Sequence, residues 1–371
     1  MPAEDALDID GARASLVAWY RRAQRDLPWR RAPWHEDPYA IWVSEIMLQQ
    51  TRVETVAPRW LRWIARFPTV RSLAAASPDE VMEEWAGLGY YARARNLHAA
   101  AREVSERYNG ELPDDADAIR ALPGIGRYTA GAILSLAFGR RAPILDGNVI
   151  RVLTRVARID GDPKSADVQK HLWTLAAELV ADGDPADVNQ GLMELGAMVC
   201  LPRAPLCLVC PLRDHCAARA AGVVESYPNA SRPTLVKEVA QIAVLVTRRK
   251  KLLLLRRPPR GLWGGLYEFP TGELRADDHD RARAAVRVAG ELTGLTFTSA
   301  GATPLVEFDH VLSHRRMRFH GYVVEARAGS VTRATHDAHR WMTPTDVAAS
   351  GISVATRRLL AALHPHEEHT T

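Results

Sequence analysis

All four cysteines of this chain, Cys200, Cys207, Cys210 and Cys216, lie in one short stretch with the spacing C-x6-C-x2-C-x5-C. No other thiol exists in the 371 residues. Four thiolates so close in sequence can close on one soft centre, either a tetrahedral zinc or a [4Fe–4S] cluster, and spacing does not separate the two. Four protein ligands leave no open coordination position, so such a centre would be structural. Four unrelated buried thiols are the plain alternative, which the clustering opposes. The residues around 200–216 must therefore fold as a loop that converges on one point.

At roughly 100–200 residues per domain the chain holds two or three domains. Hydrophobic residues at 47% and charged residues at 25% match ordinary globular proteins and exclude disordered and collagen-like classes. The longest apolar runs, Ile242–Val246 and Leu252–Leu255, are too short to cross a bilayer, so no membrane association is expected. The start, Met1-Pro2-Ala3-Glu4-Asp5, is acidic and carries no apolar stretch, and a cytoplasmic protein is expected. The net charge of +4 permits a nucleic-acid partner without requiring one, because a local basic face matters more than the total.

Through the first two-thirds, apolar residues recur with helical spacing over Tyr128–Phe138, Val149–Ile159, Ser165–Val180 and Val188–Val199. Ser77-Pro78-Asp79-Glu80 supplies a capping box with proline at the first helical position, and Gly87 is expected to stop that helix. Near Ser226–Pro233 the pattern breaks into a proline-containing linker. Beyond it, Val239–Val246 and Leu252–Leu255 read as a hairpin, Asp280–Leu292 as a helix and Met317–Ala326 as a strand.

Leu122-Pro123-Gly124-Ile125-Gly126-Arg127-Tyr128 places Gly124 and Gly126 in a tight turn between helices. Such a hairpin can present backbone N–H groups to a phosphate; a plain helix–turn–helix connection is the alternative. Gly87-Leu88-Gly89-Tyr90-Tyr91-Ala92-Arg93 interleaves aromatics with arginine, as nucleic-acid surfaces do.

Two carboxylates stand among apolar neighbours. Glu45 lies in Ile41-Trp42-Val43-Ser44-Glu45-Ile46-Met47-Leu48, where burial would raise its pKa towards general-acid service and a solvent-facing helix residue is the competing, commoner reading. Asp146 lies between Pro143-Ile144-Leu145 and Gly147-Asn148, where an ordinary N-cap is the competing reading. A protonated and an ionised carboxylate together suit cleavage of a glycosidic bond through an oxocarbenium-like state.

Ser44–Thr51, Gly87–Leu97, the Leu122–Ala130 hairpin, Leu145-Asp146-Gly147-Asn148 and the cysteine spacing together resemble the endonuclease III, helix-hairpin-helix superfamily, and within it the adenine DNA glycosylases of the MutY type. The resemblance covers nearly the whole chain. It implies a multidomain fold: an all-α helix-hairpin-helix glycosylase domain over 1–225 with an iron–sulfur loop at 200–216, a linker at 226–237, an α+β Nudix-like recognition domain at 238–363 and a disordered tail at 364–371. It also implies a [4Fe–4S] cluster on the four cysteines, and a monomer acting on double-stranded DNA with adenine opposite 8-oxoguanine or guanine.

Carried onto this sequence, the resemblance implies that adenine is flipped from the duplex. Glu45 then protonates N7, Asp146 stabilises the sugar cation, and Tyr128 with Asn148 positions it. Trp29, Arg30 and Glu194 would line the base pocket, and Gln50 and Tyr90 would sit near the opposite base. The superfamily's lyases carry a lysine where this chain has Tyr128, and the first lysine here is Lys164, so a monofunctional enzyme is expected.

Gly261–Pro270 resembles the Nudix-like domain of these glycosylases. A Nudix hydrolase needs several glutamates on one helix for its metal ions, and only Glu291 stands in Arg287–Gly294, which opposes pyrophosphate hydrolysis. The family's Phe-Ser-His loop for 8-oxoguanine corresponds to Leu312-Ser313-His314, with a leucine in the first place. Two other readings remain: a pyrimidine glycosylase and lyase, opposed by Tyr128, and a silent DNA-binding protein, which has no need of Glu45 and Asp146 together.

Overall fold

Polar caps fix where most helices of the first two-thirds of the chain begin. Asp8, Asp37, Ser77, Asp115, Asp146, Ser165 and Asp184 each accept hydrogen bonds from first-turn N–H groups, which satisfies donors that a helix start leaves open. In the computed structural model, which describes residues 7–229, 237–259, 261–298, 301–312, 315–327 and 329–363, these caps start seven of twelve helices. They are α1 (Ile9–Ala23), α2 (Pro38–Leu48), α3 (Val53–Arg66), α4 (Val70–Ala75), α5 (Pro78–Glu84), α6 (Ala92–Arg107), α7 (Ala116–Ala121), α8 (Arg127–Phe138), α9 (Gly147–Val156), α10 (Ala166–Val180), α11 (Pro185–Met198) and α12 (Ala217–Ala220). The capping box at Ser77 forms as the sequence requires. Its helix ends earlier than expected, at Glu84, and Gly87 lies in the turn beyond with a φ of 88°.

Helix α2 is apolar all round, and Tyr39 to Met47 are all buried. A helix of that composition must run through the interior, and it carries Glu45 in with it. Around α9, α10 and α11 a second core gathers Val149, Val152, Leu172, Leu192 and Leu195, with Leu16 of α1 against them.

The chain divides into two compact units. One comprises the described parts of Met1–Ala75 and Asn96–Arg232, the other those of Ala76–Arg95 and Pro233–Thr371. The second unit thus takes in α5 and the turn after it, where the Tyr91 hydroxyl donates to the Ile352 carbonyl at 3.1 Å.

The second unit is α+β. Strands β1 (Lys237–Arg248), β2 (Lys251–Arg256), β3 (Tyr267–Glu268), β4 (Thr271–Glu273), β5 (Thr303–Leu312), β6 (Arg315–Glu325) and β7 (Ala338–Met342) form one sheet whose main path runs β3-β2-β1-β6-β5. β1 and β6 are parallel, and the other pairs are antiparallel. The central strand β1 is buried on both faces, which is why it reads as a continuous apolar run. Ile242, Val244 and Val246 face α13 (Arg281–Thr293), while Ala243 and Leu245 face α14 (Pro344–Ala349) and α15 (Val354–Ala361).

The expected hairpin, helix and Met317–Ala326 strand are all present. β5 and β7 were not anticipated. β5 carries Glu307 and Asp309 paired across to His320 and Arg318 of β6, so charges interrupt the apolar alternation that marks a strand. At the start of the expected linker, Tyr227 is buried and its carbonyl accepts from Arg155 at 2.9 Å. Residues 230–236 and the tail 364–371 lie outside the described residues.

Candidate active site

A cleft of about 1160 Å³ in the first unit is lined by Trp29, Arg30, Glu45, Gln50, Tyr128, Asp146, Asn148 and Glu194. Eight residues scattered over most of the helical part of the sequence therefore meet at one place. Glu45 enters from α2, Tyr128 from the first turn of α8, Asp146 and Asn148 from the start of α9, and Glu194 from α11.

Glu45 is buried, and its carboxylate Oε2 accepts the Tyr128 hydroxyl at 2.7 Å. Burial raises its pKa to about 7 against the lowering effect of that hydrogen bond, and the nearby Asp146 charge adds to the rise. A carboxylic acid that still holds its proton near neutrality is a usable proton donor. The phenol of Tyr128 is pushed well above its ordinary range, by burial and by the Glu45 and Asp146 charges, so it stays a hydroxyl donor.

Asp146 is the N-cap of α9. One oxygen accepts Val149 N–H at 2.7 Å and the other accepts the Asn148 side-chain amide at 3.1 Å. Burial raises its pKa, while these donors and Arg151 favour its charged form. Two helices approach this segment too closely for a side chain. A Cβ on Gly131 of α8 would lie 2.3 Å from the Pro143 carbonyl oxygen, and one on Gly196 of α11 would lie 2.6 Å from Asn148 Cβ. Arg151 braces the same turn, donating to Asn148 Oδ1 at 2.9 Å, the Gly196 carbonyl at 2.7 Å and the Cys200 carbonyl at 2.7 Å.

Glu194 is fully buried yet charged. Burial alone would raise its pKa, but hydrogen bonds from Arg25 and Arg30 outweigh it and bring the value down to about 2. The ion pair holds Arg25 and Arg30 in place along one wall. Sequence reasoning had not placed Arg25, Gln190 or Met193 in this wall. Gln190 accepts from Arg30 Nε at 2.9 Å, and Met193 sulfur accepts the Tyr128 hydroxyl at 3.3 Å. The offset of four residues between Gln190 and Glu194 along α11 was the available signal for Gln190, and the offset of one between Met193 and Glu194 gave none.

The other expected site residues stand elsewhere. Gly124, with φ 78°, and Gly126, the N-cap of α8, form the turn between α7 and α8. Gly126 supplies no side-chain cap, which leaves the first-turn N–H groups open to an outside acceptor. Tyr90 does not line the cleft; it belongs to the second unit, has φ 47°, is exposed, and lies under the Arg93 guanidinium. Ser313 and His314 lie outside the described residues. Leu312, beside them, packs against the core that holds Phe308 and Phe319.

Cys200, Cys207, Cys210 and Cys216 line a shared apolar cavity with Val152 and Leu195. Arg155, buried, places Nη1 3.3 Å from Cys200 Sγ. Burial pushes the Cys210 thiol up to about 12, helped by the other three sulfurs. Among the described residues no three His, Cys, Asp or Glu side chains are gathered closely enough to hold a single metal ion. In the second unit Glu291 is held by Arg275 at 2.9 Å and Arg287 at 3.1 Å. The single acid left from a Nudix metal site is thus neutralised by two guanidiniums.

The HhH-GPD superfamily of base excision DNA repair proteins matches residues 43–178, and a NUDIX domain matches residues 241–362. Adenine DNA glycosylase of Rattus norvegicus is 35% identical over 99% of this chain and 80% of its own length. The chain belongs to the adenine DNA glycosylase family. The Homo sapiens relative is 36% identical over 96% of this chain and 74% of its own. A thermostable thymine-DNA glycosylase of known structure is 30% identical, covers 57% of this chain and 97% of its own, and superposes with a TM-score of 0.52. Membership of this family makes the protein a base-excision-repair enzyme that hydrolyses the N-glycosyl bond of adenine in DNA. Among the described residues no helix is long and apolar enough to cross a membrane.

Proposed function

We propose that this glycosylase is monofunctional and removes adenine paired with 8-oxoguanine or guanine, acting as a monomer on duplex DNA. The observation that carries the reading is the pair of unlike carboxylates in one cleft: Glu45 with its proton retained to about pH 7, and Asp146, whose pKa burial also raises but whose charged form is favoured by Val149, Asn148 and Arg151. Glu45 donates its proton to adenine N7, which turns the base into a leaving group. As the bond to the sugar lengthens, Asp146 faces the growing positive charge and stabilises it. Tyr128 orients the Glu45 acid and Asn148 orients Asp146. Water then adds at the sugar carbon, and the proton it loses returns to the Glu45 carboxylate, which restores the acid. Trp29, Arg30 and Glu194 shape the base pocket, and Gln50, in the same cleft, sits beside the opposite base.

Tyr128 occupies the place where a lyase would carry its amine, and no lysine lines the cleft, which supports hydrolysis without strand cleavage. Gly124 and Gly126 grip a backbone phosphate through open N–H groups. Ser313 and His314 read the 8-oxoguanine.

We further propose a [4Fe–4S] cluster on Cys200, Cys207, Cys210 and Cys216, with the loop 200–216 as its binding segment. A tetrahedral zinc with Zn–S bonds of about 2.3 Å would draw the four sulfurs to about 3.8 Å from one another. The four thiols line one cavity, which supports a single centre shared by all four. Bound there, the cluster supplies four iron–thiolate bonds that fix the loop. Single-turnover rates on duplexes with adenine opposite 8-oxoguanine, guanine, thymine and cytosine test the substrate reading: release should be fastest opposite 8-oxoguanine and then guanine, and equal rates on all four would refute it.

A further inference from the structure

Beside the hairpin turn, an open groove of about 690 Å³ runs between the start of α8 and one side of α10, lined by Arg127, Lys170, Trp173 and Thr174 among others. Arg127, the residue directly after Gly126, lays its guanidinium over the Trp173 ring at 3.7 Å from the centroid. The indole supports one flat face of the guanidinium and leaves its N–H edge directed away from the ring. Arg120 of α7 is near enough that its charge, after burial, helps hold the Arg127 pKa below its usual value. Lys170 and Trp173 are one helical turn apart on α10, so the ammonium and the stacked guanidinium flank one groove. Among the described residues none of Arg120, Arg127 and Lys170 has a carboxylate partner, although Arg25 and Arg30 of the cleft are paired with Glu194. Glu178 at the far end of the groove is its single acid.

We infer that Arg120, Arg127 and Lys170 form a second phosphate-contacting surface, which extends the hairpin's hold along the backbone of the same DNA strand. The occupant follows from charge and continuity. Three unpaired cations suit a polyanion, and the groove opens next to the N–H groups of Gly126 and the α8 first turn. Stacking on Trp173 pre-orders Arg127, so less side-chain freedom is lost when it meets a phosphate. This inference rests on the hairpin being the phosphate grip. It needs neither the mispair specificity nor the chemistry assigned to Glu45 and Asp146.

The test uses the full chain and an undamaged duplex without mispairs, so that errors in reading the substrate cannot affect it. Affinity is measured from 50 to 300 mM salt for wild type, Arg120→Gln, Arg127→Gln and Lys170→Gln, and for Arg127→Lys. Each phosphate contact adds about 0.9 to the slope of log affinity against log salt. Each glutamine variant should lower that slope by about 1, and the triple variant by about 3. Arg127→Lys should restore most of the slope, because the charge returns even though the flat stack does not. Slopes equal to wild type in variants that melt at the wild-type temperature would overturn the inference, leaving the Arg127–Trp173 stack as a packing contact only. A glutamine variant whose slope is not restored by lysine would also overturn it.

Discussion

The Tyr128 hydroxyl points at Glu45 Oε2 from 2.7 Å, across the cleft between α8 and α2. The phenol stands in the first turn of α8, directly beyond the hairpin, and offers Glu45 a hydrogen-bond donor. That donor favours the ionised form of Glu45 and opposes the burial that keeps the proton on.

A pH profile reads this opposition. If Glu45 must be protonated, adenine release falls as pH rises through about 7. Tyr128→Phe removes the interaction that lowers the Glu45 pKa and leaves burial in place. Its alkaline limb should move to higher pH, and its maximal single-turnover rate should drop on the order of tenfold to a hundredfold through lost positioning. A limb that stays in place or moves down would separate Tyr128 from Glu45 in function.

Burying an acid for catalysis costs stability above its unfolded pKa. Glu45 ionises at 4.5 in the unfolded chain and at about 7 in the fold. A raised acid destabilises progressively between those values, so its cost is absent below pH 4.5 and complete above pH 7, at about 3 kcal/mol. Glu45→Gln keeps an acceptor for Tyr128 without the charge. Denaturant or thermal melts should show the variant more stable than wild type at pH 8 and matched to it near pH 4. A variant less stable at pH 8 would contradict the assigned proton affinity.

Anaerobically purified protein should be brown and carry about four irons per chain, because four thiolates match the ligand count of one cubane. Iron and acid-labile sulfide analysis checks this. Zinc at one per chain, with no iron, from an iron-replete host would contradict it.

The leucine at position 312 is used in the core beside Phe308 and Phe319, and the proposal assigns opposite-base reading to Ser313 and His314. Replacing both by alanine in the full chain should reduce the preference for 8-oxoguanine over guanine, since such contacts are worth about 1–3 kcal/mol. The ratio of single-turnover rates on the two duplexes reports it. The full chain is the proper setting, because Ala76–Arg95 clusters with the second unit and a chain ended at Ser226 would strip that segment of its neighbours. An unchanged ratio would move the recognition to Gln50 and Tyr90.

The helical fold and the two carboxylates proposed for catalysis were legible because they rest on local signals. Caps and glycine stops mark the helices, and the apolar neighbours of Glu45 made burial one of its two readings, which the structure bears out. What escaped was held by tertiary contact. Arg25 sits in an unremarkable polar stretch, and its place opposite Glu194 depends on α1 and α11 packing together. The grouping of Ala76–Arg95 with the second unit is equally silent in sequence, since α5 has ordinary helix chemistry. β5 hid because cross-strand ion pairs replaced its apolar alternation.

The most direct test of the central claim is single-turnover release of adenine opposite 8-oxoguanine by wild type, Glu45→Gln and Asp146→Asn, with affinity for the same duplex measured alongside. Each variant should lose adenine release by at least about a thousandfold while holding the duplex within an order of magnitude, because the two carboxylates act on the transition state and the phosphate contacts lie elsewhere. Wild-type turnover by either variant would contradict the account.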